Sequence, residues 1–118
     1  MNINSKIWLE KDGKPILGAG RLNLLKAVDR EGSISKAAKM MNISFRRAWS
    51  ALESAEKNIG IKLLERRKGG AGGGSSCLTP QAKILIRKFD QLIDDTKTFS
   101  TRRFKSLFDE VKDDDFDV

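Results

Sequence analysis

Residues 32–60 read GSISKAAKMMNISFRRAWSALESAEKNIG, and the way this stretch folds decides what the rest of the chain has to hold. Ile34, Ala37, Ala38 and Met41 recur at i, i+3, i+4 and i+7, an apolar stripe of helical period. Ser33 precedes the stripe as an N-cap and Asn42 closes it. Ser44 then caps a second helix whose stripe runs Ala48, Leu52, Ala55, Ile59. The paired alanines carry no bulk beyond Cβ, so a neighbouring helix can cross closely. A short helix, a tight break and a longer helix make the helix-turn-helix pattern.

The period also says which face of the second helix is free. With Ala48 at the centre of the buried stripe and roughly 100° per residue, Arg46, Ser50, Glu53 and Lys57 point away from the core. Arg47 and Ser54 fall on one flank and Trp49 on the other. The first turn thus offers guanidinium groups beside unpaired backbone N–H donors, at the positive end of the helix dipole. Arginine there can bond guanine O6 and N7 in pairs or clamp a phosphate. A solvated basic surface helix is the alternative use of the same residues.

Composition excludes most other chemistry. The 118 residues suit one small domain with an appended helix, and their formal net charge of +7 suits a polyanionic partner or an anionic membrane. The charge is uneven: residues 109–118, DEVKDDDFDV, hold six acids and one lysine, a net −5, so the other 108 residues carry +12. There is no histidine, no tyrosine and a single cysteine. That removes disulfide frameworks, the usual zinc sites and most general acid–base or nucleophile–histidine pairs, so no enzyme, metal or cofactor is expected. Cys77 reads as a strand residue. No apolar run approaches the ~18 residues of a membrane span, and residues 1–10 lack a signal-peptide core. A cytoplasmic protein is expected.

Outward from the central stretch, residues 6–10 and 14–17 flank Asp12 and Gly13, a hairpin pattern with a favoured turn, and Trp8 is expected to pack it on the core. Leu22, Leu25 and Val28 mark a supporting helix over about 21–30, ended by Gly32 in a left-handed cap. After Gly60, residues 62–67 alternate as a short strand, with Cys77 and Leu78 as its return partner. Between them lies the glycine-rich run 69–74. A phosphate-cradling nucleotide loop would end in Gly-Lys-Ser/Thr and open a helix, which this run does not. A wing laid along DNA needs flexible backbone and basic stems, and Arg66, Arg67, Lys68, Ser75 and Ser76 supply them. A plain linker is the bland alternative.

Thr79 and Pro80 open a long helix as N-cap and first helical residue. Leu85, Phe89, Leu92, Thr96 and Phe99 follow a spacing close to a heptad seam, with Ile86 and Ile93 widening it. A helix over 80–99 spans roughly 30 Å, longer than a small winged domain covers. The expectation is a homodimer through Leu85, Phe89, Leu92, Ile93 and Phe99, the alternative being packing back onto the same chain. The predicted fold is therefore mainly α with small β: a winged helix-turn-helix over 1–79 (hairpin 6–17, helix-turn-helix 33–59, wing 62–79), a dimerisation helix over 80–108 and an acidic tail over 109–118.

Gly32, Ser33, Ile34, Ser35, Lys36, Ala37 and Ala38, then Ser44, Phe45, Arg46, Arg47, Ala48 and Trp49, resemble the N-terminal winged helix-turn-helix of ModE-type molybdate-responsive regulators. The residues from Gly60 to Arg66, the glycine-rich run and Leu78, Thr79 and Pro80 continue the likeness. The more distant LysR-type regulators share the GSxSxAA, GxxLxER and LTP elements. The resemblance spans roughly residues 17–99. It implies a dimeric transcription factor whose recognition helix enters the major groove while the wing touches backbone or minor groove. It departs at Phe45, where the family commonly has tyrosine, and at Ala82, where a glycine is frequent. Molybdate is sensed in the family by C-terminal oxyanion-binding domains, so no molybdate site is expected in this chain.

The residues expected to meet double-stranded DNA are Ser44, Phe45, Arg46, Arg47, Trp49 and Ser50 on the helix, with Arg66, Arg67, Lys68, Ser75 and Ser76 on the wing. Trp49 has a second reading as a core residue seating the helix. Two rival functions remain open to the sequence: a sequence-neutral architectural or RNA-binding protein, and a winged-helix module that docks another protein.

Overall fold

The computed structural model describes residues 1–67 and 74–110. Two compact units divide the chain: Ile7–Arg87, and Met1–Lys6 together with the chain from Lys88 onward.

The first unit opens with an antiparallel ribbon, β1 (Leu9–Lys11) and β2 (Lys14–Leu17). Asp12 and Gly13 both take positive φ, 53° and 77°, the pairing whose twist suits a two-residue hairpin turn. The first strand begins later than the 6–10 expected, and its register slips between Leu9 and Glu10, which faces Pro15. Proline has no N–H to give to a ladder, so pairing is poor there. Trp8 does not pack on the core: it is 51% exposed and donates its indole N–H to Glu10 Oε1 at 2.7 Å. Ile16 and Leu17 are the buried residues of this hairpin.

Three helices follow. α1 (Ala19–Glu31) buries Leu22, Leu24, Leu25, Ala27 and Val28, and Gly32 ends it at φ 81°. α2 (Ile34–Met40) buries Ile34, Ala37 and Ala38, with Ser33 Oγ accepting from Lys36 N–H at 3.1 Å. Met41 is its half-buried C-cap, and Asn42 turns the chain at φ 56°, a conformation asparagine tolerates better than most. α3 (Phe45–Ile59) buries Ala48, Leu52 and Ala55 completely. All three helices pack on one another.

β3 (Leu64–Arg67) and β4 (Ser75–Leu78) form a second antiparallel ribbon, in register from Leu64 opposite Leu78 to Arg67 opposite Ser75. Lys68 and most of the glycine-rich run lie outside the described residues. Cys77 is an exposed strand residue, as its position suggested. The ribbon is stitched to the helices: Ser76 N–H donates to Gly32 O at 2.8 Å, and Thr79 N–H to Leu63 O at 3.0 Å. Thr79 Oγ1 donates to Lys62 O at 2.8 Å and accepts from Ala82 N–H at 3.1 Å, so one hydroxyl closes the ribbon and caps the next helix. Helices, turn and ribbon in this order make a winged helix-turn-helix, mainly α with small β.

That next helix, α4 (Pro80–Phe108), continues past the 80–99 stripe and covers the 80–108 expected of it. Neither glycine nor proline interrupts it after Pro80, and Phe104 and Phe108 stack at i, i+4 with centroids 4.9 Å apart. In the second unit Phe89 is covered, Ile93 is half-buried, and Leu92 and Phe99 are open at 48% and 69%. Among the described residues no helix is long and apolar enough to cross a membrane.

Candidate nucleic-acid interface

The site is one end of a helix, and the sequence fixes which end. Ser44 Oγ accepts from Arg47 N–H at 3.1 Å, satisfying one of the donors that a helix start leaves unpaired. The outward residues of the next turn, Arg46, Arg47 and Ser50, are all exposed. Trp49 is 41% exposed and Phe45 53%, so Trp49 does not act as a core residue. Apart from the buried Ala48, the residues from Ser44 to Ser50 are all exposed and present two guanidiniums, two hydroxyls and two aromatic rings. Lys57 further along is exposed, while Glu53 is half-buried.

The opposite end of α3 is held from both flanks. On one, Arg21 donates to Pro15 O at 2.9 Å, Ile16 O at 3.2 Å and Ser54 Oγ at 3.3 Å. Asn58 Nδ2 reaches the same Pro15 carbonyl at 3.0 Å, and Lys11 Nζ caps Ile59 O at 3.0 Å. These bonds join the N-terminal hairpin to α3. On the other flank stands Glu56, buried to 9% exposure, whose Oε2 accepts from Leu63 N–H at 2.9 Å and Leu64 N–H at 3.2 Å. Its Oε1 lies 3.4 Å from Arg66 Nη2. A buried carboxylate is costly unless its oxygens are bonded, and here they tie the base of β3 to α3.

Sequence reasoning missed Glu56, Arg21, Asn58 and Lys11. For Glu56 a signal existed: it lies roughly 80° from Ala48 on the helical wheel, closer to the core than to the free face. Asn58 to Pro15, Lys11 to Ile59 and Arg21 to Ser54 are contacts 43, 48 and 33 residues apart, which no local pattern encodes.

The wing candidates are less uniform than expected. Arg67 and Ser75 are exposed and face each other across the ribbon. Arg66 directs one guanidinium nitrogen at Glu56, leaving it other donors. Ser76 is half-buried, its N–H committed to Gly32. Lys68 falls outside the described residues. Of the five residues named for dimerisation, Leu92 and Phe99 keep open surface, Leu85 and Ile93 are half-buried, and Phe89 is buried at 2%. Among the described residues no group of three or more His, Cys, Asp and Glu could hold a metal ion.

Against known proteins, a family model described as bacterial regulatory helix-turn-helix protein, lysR family, matches residues 20–83. The chain is 42% identical to the transcriptional regulator ModE of Haemophilus influenzae over 72 residues, covering 61% of this chain and 28% of that one. It is 36% identical to the DNA-binding transcriptional dual regulator ModE of Escherichia coli over 95 residues, covering 80% and 33%. The chain thus spans about a third of the length of these relatives. Among solved structures, the BenM_DBD/catB site 1 DNA complex superposes with a TM-score of 0.54 at 25% identity, covering 76% of this chain and 97% of that one.

Proposed function

The chain belongs to the lysR family of bacterial regulatory helix-turn-helix proteins, and from that premise we propose that it is a sequence-specific, DNA-binding transcriptional regulator acting in the cytoplasm as a homodimer. One observation carries the reading: a helix bonded at its far end from both sides, with two arginines, Arg46 and Arg47, held outward at its start. A rigid base and an open cationic tip are what entry into a major groove requires. Arg46, Arg47 and Ser50 read base edges and the nearest phosphates, and Ser44, Phe45 and Trp49 form the rest of the entering surface. Arg67, Ser75 and Lys68, with the remaining donors of Arg66 and Ser76, meet backbone phosphates and set register without reading sequence.

The homodimer reading rests on α4, where Leu92 and Phe99 lie seven residues apart with 48% and 69% of their surfaces open. Seven is the repeat of a helix seam, and pairing there presents two recognition helices to half-sites one DNA turn, or a multiple of it, apart.

The test is in vitro selection of bound genomic fragments, followed by footprinting and sedimentation of the bound species. A shared motif with two related half-sites, bound by two chains, is the expected result. Enrichment of no motif over random duplex would replace this reading with sequence-neutral binding. Failure to bind any nucleic acid at about 50–200 mM salt would leave a protein-docking module.

A further inference from the structure

Phe45 and Trp49 are one turn apart on α3 and both keep large apolar surfaces in solvent, 53% and 41% exposed. At about 100° per residue they lie roughly 60° and 100° round from Ala48. Glu56, roughly 80° round, shares that flank and is bonded to Leu63 and Leu64 at the base of β3. The aromatic pair therefore lines the side of the helix tip that leads toward the β3–β4 ribbon. Arg46 and Ser50 stand beside it on the outward face.

Each ring is poorly equipped for hydrogen bonding. Phenylalanine has no polar atom and tryptophan only one N–H donor. Two exposed rings beside Arg46, on the same helix turn as Arg47, suit a polyanion that also presents apolar groups, and the apolar feature of base edges in the major groove is the thymine C5-methyl. We propose that Phe45 and Trp49 read thymine methyl groups, so that the preferred site is recognised through 5-methyl contacts as well as through the arginines. This rests on α3 being the recognition helix.

The experiment works on any duplex that the chain itself enriches. A fragment obtained by selection is amplified once with dTTP and once with dUTP and uracil-substituted primers, which removes every thymine methyl and keeps every Watson–Crick pair. The full chain is titrated with both. Wild type should bind the thymine duplex more tightly, by about three- to five-fold for each methyl covered. Phe45→Ala with Trp49→Ala should bring the ratio close to one, Phe45→Leu should retain part of it, and Arg67→Ala should leave it unchanged. Equal binding of both duplexes by wild type overturns the proposal while leaving DNA recognition standing. An undiminished ratio in the double variant overturns it too, because the preference would then come from duplex shape. Enrichment of no fragment at all removes the recognition helix, and this reading with it.

Discussion

The two halves of α3 have the same backbone and opposite surroundings. From Ser54 to Gly60 the helix is bonded to the N-terminal hairpin through Arg21, Asn58 and Lys11 and to the second ribbon through Glu56. From Ser44 to Ser50 the side-chain bond that holds the helix is its own cap, Ser44 to Arg47. The contrast separates two jobs that a single element could not do throughout its length. Residues that hold the helix are bonded inward, and residues that meet a ligand are turned out to solvent. Substitutions at the two ends should therefore fail in different assays.

The largest effect is expected at the held end. Glu56→Ala removes the acceptor for two backbone N–H groups, those of Leu63 and Leu64. Leaving buried donors unsatisfied costs about 1–3 kcal/mol each, so a loss of roughly 2–6 kcal/mol of folding stability is expected by urea denaturation. Glu56→Gln keeps one acceptor oxygen and should lose less. A Glu56→Ala protein as stable as wild type would mean that water replaces the carboxylate and that this end is not held as described.

At the open end the outcome should reverse. Arg46→Ala removes an exposed side chain that points away from the core, so stability should stay within about 0.5 kcal/mol. Binding to a selected duplex should weaken by roughly 1–3 kcal/mol, with relaxed preference at one base position. Competition titrations against singly altered duplexes measure this directly. A loss spread evenly over all sequences would reassign Arg46 to a phosphate.

This division explains what could be read from the sequence. Periodicity placed α2 and α3 nearly to the residue because their stripes are local: Ala37, Ala48, Leu52 and Ala55 are all fully buried. The caps at Ser33, Ser44, Thr79 and Gly32 followed from residues that act within a turn of their own position. The open tip was legible for the same reason, since a wheel drawn on α3 alone identifies Arg46 and Ser50 as outward. The held end was not. Arg21, Asn58 and Lys11 look like ordinary polar surface residues until the chain folds back to supply their partners, and Glu56, although its wheel position leans toward the core, is bonded only once β3 is placed beside it. Trp8 was misplaced because hydrophobicity argued for burial, whereas its indole N–H finds Glu10 at the surface.

The ribbon should behave as a third, weaker case. Arg67 is exposed at the end of β3, beyond the Glu56 bonds that hold the base of that strand. Arg67→Ala should weaken selected and random duplexes alike and lower the slope of log K against log salt by about one. A change in sequence preference would move Arg67 from backbone to base reading and blur the line between wing and helix tip.

The smallest effect should come from the acidic run, and it tests the open end from the other side. Residues 109–118 carry a net −5 against +12 on the remainder, so the expectation is that they compete with DNA for whatever cationic surface is accessible, a purely solvated tail being the alternative. At the held end Arg21 and Lys11 already donate to backbone carbonyls, leaving the exposed Lys57; the open tip and the ribbon present the exposed Arg46, Arg47 and Arg67. Removing 109–118 should then tighten binding to random duplex a few-fold at about 50 mM salt and hardly at all near 200 mM, where the Debye length has fallen to roughly 7 Å. Combining the deletion with Arg46→Ala and Arg47→Ala should shrink the gain, since part of the surface competed for is gone. Unchanged binding at low salt on deletion would assign the run no role at the interface.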